Sequence, residues 1–287
     1  MGGIEIMNIL VTGRTGFIAR HLVRRLSEEG HTVIGFYGLQ SFYCSKTIDA
    51  VVHLAAQAGI RPNEQDSLLQ YESNVMATVN ILDLCVKYKV KKFVFISSSS
   101  VYGNPSYLPV KEEQDTNHPL CHYAATKKAG ELACHTYHHL YGLDITVLRP
   151  FTVYGPGQRS SMAVPVFTSL IREGKKVVVF GDGKIQRDYI YVADVVDGII
   201  KSLFDYRGYA EYNLGTGTPT SISDLISKIS ICLNRAAEIQ YVPVEKGEAL
   251  SAYASVVSAR NQLGFEAKYA LEEGLRNYIN CLELGRR

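Results

Sequence analysis

Hydrophobic residues recur along the first part of the chain with two alternating periods. Residues 7–11 form a short apolar run typical of a buried strand, and residues 31–36 form another. Between them apolar side chains recur at helical spacing, in a segment that Gly30 ends. The helical positions are Phe17, Ile18, Leu22, Val23 and Leu26. This order predicts a strand–helix–strand unit.

The same alternation continues as far as Arg149. Strands separated by helices form a mostly parallel sheet with both faces covered. The predicted fold class is therefore α/β, a doubly wound, mostly parallel sheet of the Rossmann type. Beyond Arg149 the alternation loosens, which predicts a smaller C-terminal lobe over the carboxyl ends of the strands. The further predicted strands are 50–54, 92–96 and 144–148, and the further predicted helices are about 74–88 and 123–141.

Composition and charge narrow the range of functions. The 287 residues are 46% hydrophobic and 20% charged, and 30 Lys and Arg against 28 Asp and Glu give a net charge of +2. Nucleic acid and anionic membranes need a concentrated positive field, so neither is expected as a partner. No apolar run reaches the length of a membrane span. The six cysteines are scattered without a CxxC pair, which predicts reduced thiols and a cytoplasmic location.

A glycine-containing turn joins the first strand to the first helix. In Gly13-x-x-Gly16-x-x-Ala19, Gly13 permits the turn, Gly16 lets the backbone approach a pyrophosphate, and Ala19 allows close packing of helix on sheet. We therefore predict a dinucleotide-binding domain at 1–153 with a return segment near 188–215, and a substrate-binding lobe made of 154–187 and 216–287. The loop residues expected at the cofactor are Gly13, Arg14, Thr15, Gly16, Phe17 and Ile18.

The end of the second strand departs from the usual pattern of dinucleotide-binding domains. An acidic residue there normally binds the adenosine ribose, but this chain has Phe36, Tyr37 and Gly38. Arg14 is able to contact a 2′-phosphate instead, or is simply solvated. The choice between NAD and NADP stays open at this point.

Tyr123 and Lys127 stand at positions i and i+4 of a predicted helix and therefore share one face. An ammonium next to a phenol favours the phenolate, so Lys127 is expected to lower the pKa of Tyr123 toward the range useful for proton transfer. The serine run 97–100 follows the strand that ends at Ile96 and can supply a hydroxyl to the same substrate oxygen. Together these residues predict a catalytic Ser-Tyr-Lys set.

The motifs resemble those of the extended short-chain dehydrogenase/reductase superfamily, and in it the NAD-dependent epimerase/dehydratase family. They are Thr12-Gly-x-x-Gly16-Phe-Ile18, His53-Leu-Ala-Ala56, Ser97-Ser-Ser-Ser-Val-Tyr-Gly103 and Tyr123-Ala-Ala-Thr-Lys127. The chain is most similar to the UDP-glucuronate 4-epimerases, through Leu54-Ala-Ala-Gln-Ala-Gly-Ile-Arg61 and Arg149-Pro-Phe-Thr-Val-Tyr-Gly-Pro156. The likeness extends over nearly the whole chain.

This resemblance implies inversion of C4 of a UDP-hexuronate or UDP-hexose through a transient 4-keto sugar, with bound NAD. Tyr123 would take the proton of the 4-hydroxyl, Ser98 would hydrogen-bond the same oxygen, and Lys127 would hold the nicotinamide ribose. Ser99 and Ser100 replace the Asp-Glu pair of the related 4,6-dehydratases, which disfavours elimination, and either could share the role of Ser98. Further cofactor contacts are expected at Leu54, Ala55, Ala56 and Asn74. Substrate contacts are expected at Arg61, Ser99, Ser100, Thr152, Arg159, Arg187 and Asn213.

Two arginines have specific roles by the same resemblance. Arg187 is expected at the diphosphate, where a guanidinium binds in bidentate fashion. Arg159 is the candidate for a hexuronate carboxylate, with Arg61 as second choice. A homodimer through two helices is expected, and no metal, because the histidines of one helix lack a third ligand. These histidines are His135, His138 and His139.

Two departures from the family leave alternatives open. Glu245-Lys-Gly-Glu248 stands in place of the usual Arg-Pro-Gly-Asp, and the chain lacks the helix, strand and adenine-binding acidic pair that normally follow the second strand. Loose binding of the cofactor's adenosine half is therefore expected. The leading hypothesis is an NAD-dependent nucleotide-sugar 4-epimerase. The alternatives are an NADP-dependent reductase of a nucleotide-linked keto sugar, favoured by Arg14, and a non-catalytic dinucleotide-binding regulator, disfavoured by the intact Ser98, Tyr123 and Lys127.

Overall fold

A computed structural model describes residues 6–42, 47–59, 67–243 and 251–285. Its strands are β1 (Asn8–Thr12), β2 (Thr32–Gly35), β3 (Ala50–His53), β4 (Lys92–Ile96), β5 (Asp144–Pro150), β6 (Thr152–Tyr154), β7 (Val177–Phe180), β8 (Gln186–Tyr191), β9 (Tyr209–Leu214), β10 (Pro219–Ser221) and β11 (Ile239–Val242). Six of them form a parallel sheet in the order β2-β1-β3-β4-β5-β9. The order reverses between β1 and β3, which is where doubly wound sheets bind their ligands. The predicted α/β fold with a mostly parallel sheet is confirmed.

Helices cover both faces of this sheet. They are α1 (Phe17–Glu28), α2 (Ser67–Tyr71), α3 (Ala77–Lys87), α4 (His122–Tyr141), α5 (Ala163–Glu173), α6 (Val192–Leu203), α7 (Ile222–Leu233) and α8 (Leu271–Glu283). On one face α1 and α6 bury Leu22 and Ile199 against β1 and β4, and on the other α3 and α4 bury Leu82 and Cys134. The single helix predicted at 74–88 is interrupted, because a π-turn at Glu72–Met76 joins α2 to α3.

The C-terminal part has its own hydrophobic core. Helices α5, α7 and α8 pack around the parallel pair β7–β11 and the three-stranded sheet β10-β8-β6. Between these elements the chain returns to the large sheet through α6 and β9. The return segment expected near 188–215 thus begins in β8 of the small sheet, and its later part supplies α6 and β9.

The connection from β2 to β3 is short, and its residues 43–46 lie outside the described part of the chain. It contains a 3-10 turn at Leu39–Phe42, and β2 is an edge strand of the sheet. Phe42 is buried, with its ring 5.3 Å from that of Tyr88 at the end of α3. Its side chain thus joins the hydrophobic cluster on the face of the sheet that α3 and α4 cover.

No helix of the described segments is long and apolar enough to cross a membrane. Five of the six cysteines fall in these segments, and each is a free thiol, with Cys85 and Cys134 buried. Cys44 lies outside the described residues.

Candidate active site

The phosphate loop packs directly on the loop that follows β3. Gly13 has φ +65°, and a Cβ at this position would lie 2.8 Å from Cα of Ala55, so only glycine fits both the turn and the contact. Gly16 donates its N–H to the Gly13 carbonyl at 2.8 Å and precedes α1, which has no side-chain cap. Residues 13–16 are exposed, and the N–H groups of the first turn of α1 face an open surface suited to a pyrophosphate.

A buried chain of hydrogen bonds connects the ends of β1 and β3 to α3. Thr12 Oγ1 lies 2.8 Å from His53 Nδ1 and accepts from the Ala55 N–H at 3.0 Å, and His53 Nε2 lies 3.0 Å from Thr78 Oγ1. Thr78 in turn donates to the Asn74 carbonyl. Because the Thr78 hydroxyl uses its proton there, it accepts from Nε2–H, and Nδ1 accepts from Thr12. Burial, reinforced by the charge of Lys127, lowers the pKa of His53 to about 3, so the ring is neutral.

Asn74 is 2% exposed and acts through the main chain of Gln57. Its Oδ1 accepts from the Gln57 N–H at 2.7 Å, and its Nδ2 donates to the Gln57 carbonyl at 3.0 Å and to Thr126 Oγ1 at 2.9 Å. The expected contact with the cofactor stays a prediction. In the structure Asn74 instead fixes the loop that contains Leu54, Ala55 and Ala56 relative to α4.

The four serines after β4 have different surroundings. Ser97 is buried and donates to Glu131 at 2.6 Å. Ser98 caps the 3-10 turn Ser99–Tyr102, accepting from the Ser100 N–H and donating to Ser100 Oγ, each at 3.1 Å. Its hydroxyl is close enough to the phenol of Tyr123 to lower the pKa of that phenol, and Ser99 and Ser100 are half-buried beside it.

Tyr123 and Lys127 lie on one face of α4, but the prediction that Lys127 lowers the pKa of Tyr123 is wrong. The ammonium is 5.9 Å from the centroid of the Tyr123 ring and donates to the Ile96 carbonyl at 2.7 Å. Desolvation raises the pKa of Tyr123 to about 12, against the nearby Ser98 hydroxyl and the charge of Arg159, which both lower it. Burial also lowers the pKa of Lys127 to about 8. Desolvation outweighs the neighbouring charge for both groups.

A buried ion pair that the sequence patterns did not predict connects several elements around the site. Arg149 at the end of β5 is fully buried and forms a bidentate pair with Glu131, with both N–O distances 2.8 Å. It also donates to Tyr102 Oη at 2.9 Å and contacts Glu211 of β9. The pair joins β5 to α4 and, through Ser97, to the start of the turn Ser99–Tyr102. A signal was present, because Glu131 continues the i, i+4 spacing of Tyr123 and Lys127.

The residues expected at the substrate lie in different places. Thr152 begins β6 and is half-buried, and Arg187 lies on the neighbouring strand β8, donating to the Gln186 carbonyl at 3.0 Å. Arg159 is exposed, donates to the Ala58 carbonyl at 2.9 Å, and is close enough to lower the pKa of Tyr123. Asn213 is fully buried, with its side chain bonded to Tyr102 and Val110, so it is not brought to the accessible surface of the site. Arg61, Glu245 and Lys246 lie outside the described residues.

The two lobes meet beside the phosphate loop. His21 of α1 bonds the Pro156 carbonyl at 2.8 Å, and Arg20 donates to the Gly157 carbonyl at 3.3 Å. The cleft is thus bounded by the first turn of α1, the loop after β3, the serine turn and α4.

The three histidines of α4 have neighbours of other kinds. His135 contacts the edge of Tyr209, with ring centroids 5.1 Å apart, and His138 bonds the Leu143 carbonyl at 2.9 Å. Among the residues described, no group of three or more potential ligands could hold a metal ion.

This fold and site define a Rossmann-type protein with a Ser-Tyr-Lys set at the carboxyl edge of its sheet. The close contact of Gly13 with Ala55 and the uncapped, exposed start of α1 fit a dinucleotide at the switch point. Residues 9–215 match the model of the NAD-dependent epimerase/dehydratase family, and the chain belongs to this family. The predicted family, the prediction of an enzyme and that of NAD as its cofactor are confirmed.

Relatives and solved structures resemble nearly the whole chain. The UDP-glucuronate 4-epimerase of Thermodesulfobacterium geofontis is 36% identical, with 94% of each chain covered. The structure of MoeE5 with UDP-glucose and NAD has a TM-score of 0.90 at 33% identity, covering 98% of this chain and all of the other. UDP-glucuronic acid 4-epimerase from Bacillus cereus, in complex with UDP-glucuronic acid and NAD, has a TM-score of 0.87 at 31% identity, covering 97% and 99%.

The alignment with the Thermodesulfobacterium enzyme extends over 307 positions, more than the 287 residues of this chain. The relative therefore has residues without a counterpart here.

Proposed function

We propose that this protein is a UDP-hexuronate 4-epimerase, which inverts C4 of the sugar through a transient 4-keto form. The observation that carries the proposal is the juxtaposition of Ser98, which follows β4, with the phenol of Tyr123 on α4, whose ring centroid lies 5.9 Å from the Lys127 ammonium. Two hydroxyls that converge on one oxygen are suited to removing and returning the proton of a secondary alcohol.

Each residue of the site has its own role in the proposed reaction. Tyr123 takes the proton of the 4-hydroxyl and later returns it, while Ser98 donates a hydrogen bond to the same oxygen. Lys127, fixed by the Ile96 carbonyl at 2.7 Å, places a cation below the phenol. NAD, when bound by the phosphate loop and the loop after β3, supplies the acceptor and then the donor of hydride. Glu131 and Arg149 hold the serine turn and α4 in register.

A carboxylate on the sugar is supported by Arg159 and by the two hydroxyls of Ser99 and Ser100. Arg159 is exposed, close to Tyr123, and bonded only to a main-chain carbonyl among the described residues. Exchange of that neutral acceptor for a carboxylate gives a charge-assisted hydrogen bond. Arg187, beside Thr152 on the small sheet, is proposed for the diphosphate of the nucleotide.

One experiment separates an epimerase from a reductase, the alternative that the absence of an acid at the end of β2 favours. Freshly purified protein is incubated with UDP-glucuronate without added cofactor, and a second portion is denatured and its released nucleotide identified. We expect the C4 epimer to form and dinucleotide to be released in about one equivalent, because an epimerase regenerates its cofactor at each turnover. No C4 epimer and no released nucleotide, together with formation of NADPH from added NADP⁺ as UDP-glucuronate is oxidised, would instead identify a reductase that exchanges its cofactor.

We also propose a homodimer through α2, α3 and α4. The exposed side chains of this surface include several large apolar residues, an arrangement typical of a protein–protein contact. They are Leu68, Leu69, Tyr71, Met76, Leu132, Leu140 and Tyr141.

A further inference from the structure

Arg14 lies over an aromatic ring at the place where the family has an acidic residue. Its guanidinium carbon is 5.2 Å from the centroid of the Tyr37 ring. Tyr37 follows β2 and is 67% exposed, so the outer face of the pair is open to solvent. The pair joins the phosphate loop to the end of β2.

The surrounding residues fix both partners. Gly35 has no side chain, and a Cβ there would lie 2.6 Å from Cδ of Arg14, so glycine leaves the space that the arginine uses. The N–H of Tyr37 donates to Ser41 Oγ at 2.6 Å, and Ser41, which is buried, donates to the Gly35 carbonyl at 3.1 Å. Phe36 packs edge-on against the buried Phe42, with ring centroids 6.5 Å apart. The tyrosine is therefore held on a built turn.

The charge of Arg14 is available to a ligand. No carboxylate of the described residues pairs with it, and the sequence from Gly30 to Phe42 contains no Asp or Glu. A guanidinium carries five N–H donors in one planar fork, and contact with a ring face leaves these donors unused. Such a fork is preorganised to bind phosphate in bidentate fashion.

The position of the pair decides which anion it meets. In doubly wound domains the end of the second strand lies at the adenosine ribose, where a carboxylate accepts from the 2′-hydroxyl and repels a 2′-phosphate. Here the carboxylate is replaced by Tyr37, and a cation is added from the phosphate loop. We infer that Arg14 and Tyr37 form a binding site for the 2′-phosphate of NADP, so that this chain accepts NADP at least as tightly as NAD. The inference concerns the cofactor alone and does not depend on which sugar is epimerised.

Calorimetric titration of the nucleotide-free protein with NADP and with NAD tests this inference without any assay of turnover. We expect a dissociation constant for NADP equal to or below that for NAD. Arg14→Gln should weaken NADP about tenfold or more and NAD less than threefold, since one desolvated charge-assisted contact is lost only with the phosphate. Tyr37→Asp, which restores the acid, should reverse the preference toward NAD.

A control variant separates this effect from general electrostatics. Arg24→Gln removes one positive charge from an exposed side chain of α1, which is paired with Glu28, and should leave both affinities unchanged. The inference is overturned if the wild type prefers NAD more than tenfold, or if Arg14→Gln weakens both dinucleotides equally, which would assign Arg14 to the pyrophosphate.

Discussion

At the scale of single residues, the surroundings of Tyr123 decide its chemistry. Desolvation raises the pKa of its phenol to about 12, so the phenol holds its proton at neutral pH beside the Ser98 hydroxyl. Tyr123→Phe should lower kcat about a hundredfold or more with the fold intact, because proton transfer loses its acid and base. The measurement is kcat with UDP-glucuronate, together with a thermal melt. Tyr241→Phe, on an exposed tyrosine of β11, is the matched control, and near-normal turnover of Tyr123→Phe would contradict its assigned role.

Arg159 provides the residue-scale test of the sugar. If it pairs with a hexuronate carboxylate, Arg159→Leu should reduce kcat/KM for UDP-glucuronate far more than for UDP-glucose, since only the former leaves a carboxylate unpaired. Loss of such a pair costs about 2–5 kcal/mol. The two substrates are compared as a ratio of kcat/KM ratios in wild type and variant. Arg172→Leu on the exposed face of α5 is the control, and an equal fall for both sugars would assign Arg159 to the diphosphate or to loop support.

The sequence predicted which side chains lie near one another but not the direction of their pKa shifts. The i, i+4 spacing predicted that Tyr123 and Lys127 share one face of a helix, as they do on α4. The spacing could not show that Lys127 bonds Ile96 or that burial dominates its pKa, because both depend on the packing of α4 over β4. Asn213 illustrates the same limit, since the family resemblance implies a contact with substrate whereas tertiary packing buries its side chain.

At the scale of elements, His53 couples two strands to α3 as a neutral ring. Protonation would put a proton on Nδ1 facing Thr12, whose hydroxyl already accepts from Ala55. The pKa of His53 is about 3 in the folded state against 6.5 for an unperturbed histidine. Between these values the unfolded chain binds the extra proton, so stability falls as the pH is lowered from about 6.5 toward 3.

We expect this histidine to contribute about 2 kcal/mol of the stability lost between pH 7.5 and pH 5. Denaturant unfolding of the wild type and of His53→Asn at both pH values measures it, and the variant should lose correspondingly less. His139→Asn, on an exposed position of α4, should keep the wild-type dependence. The same pH dependence in His53→Asn as in the wild type would be evidence that other groups carry the acid sensitivity.

Periodicity predicted the regular elements of the large sheet well and the irregular ones poorly. Strand β4 was predicted at its observed bounds, and α4 differs from its prediction by one residue. The π-turn before α3 was not predicted, because one wide turn alters hydrogen bonding without removing the apolar periodicity. That turn contains Asn74, so the detail that periodicity misses fixes the main chain of Gln57 in the loop after β3.

At the scale of the whole molecule, the apolar surface of α2, α3 and α4 should bury itself against a second copy. Sedimentation velocity at micromolar concentration should give the mass of two chains of 31.8 kDa. Met76→Lys and Leu132→Glu together, which place charges on that surface, should produce monomers. A monomeric wild type would contradict the proposed dimer.

The short connection between β2 and β3 also changes how the chain folds. Strand β3 pairs with β1, and once β1 and β2 are paired this step must close the connection 36–49 between β2 and β3. A connection about three times as long would cost about 1 kcal/mol more in closure entropy. The short connection therefore lowers the entropic barrier to adding β3 to the sheet, and this step of folding becomes more local in sequence.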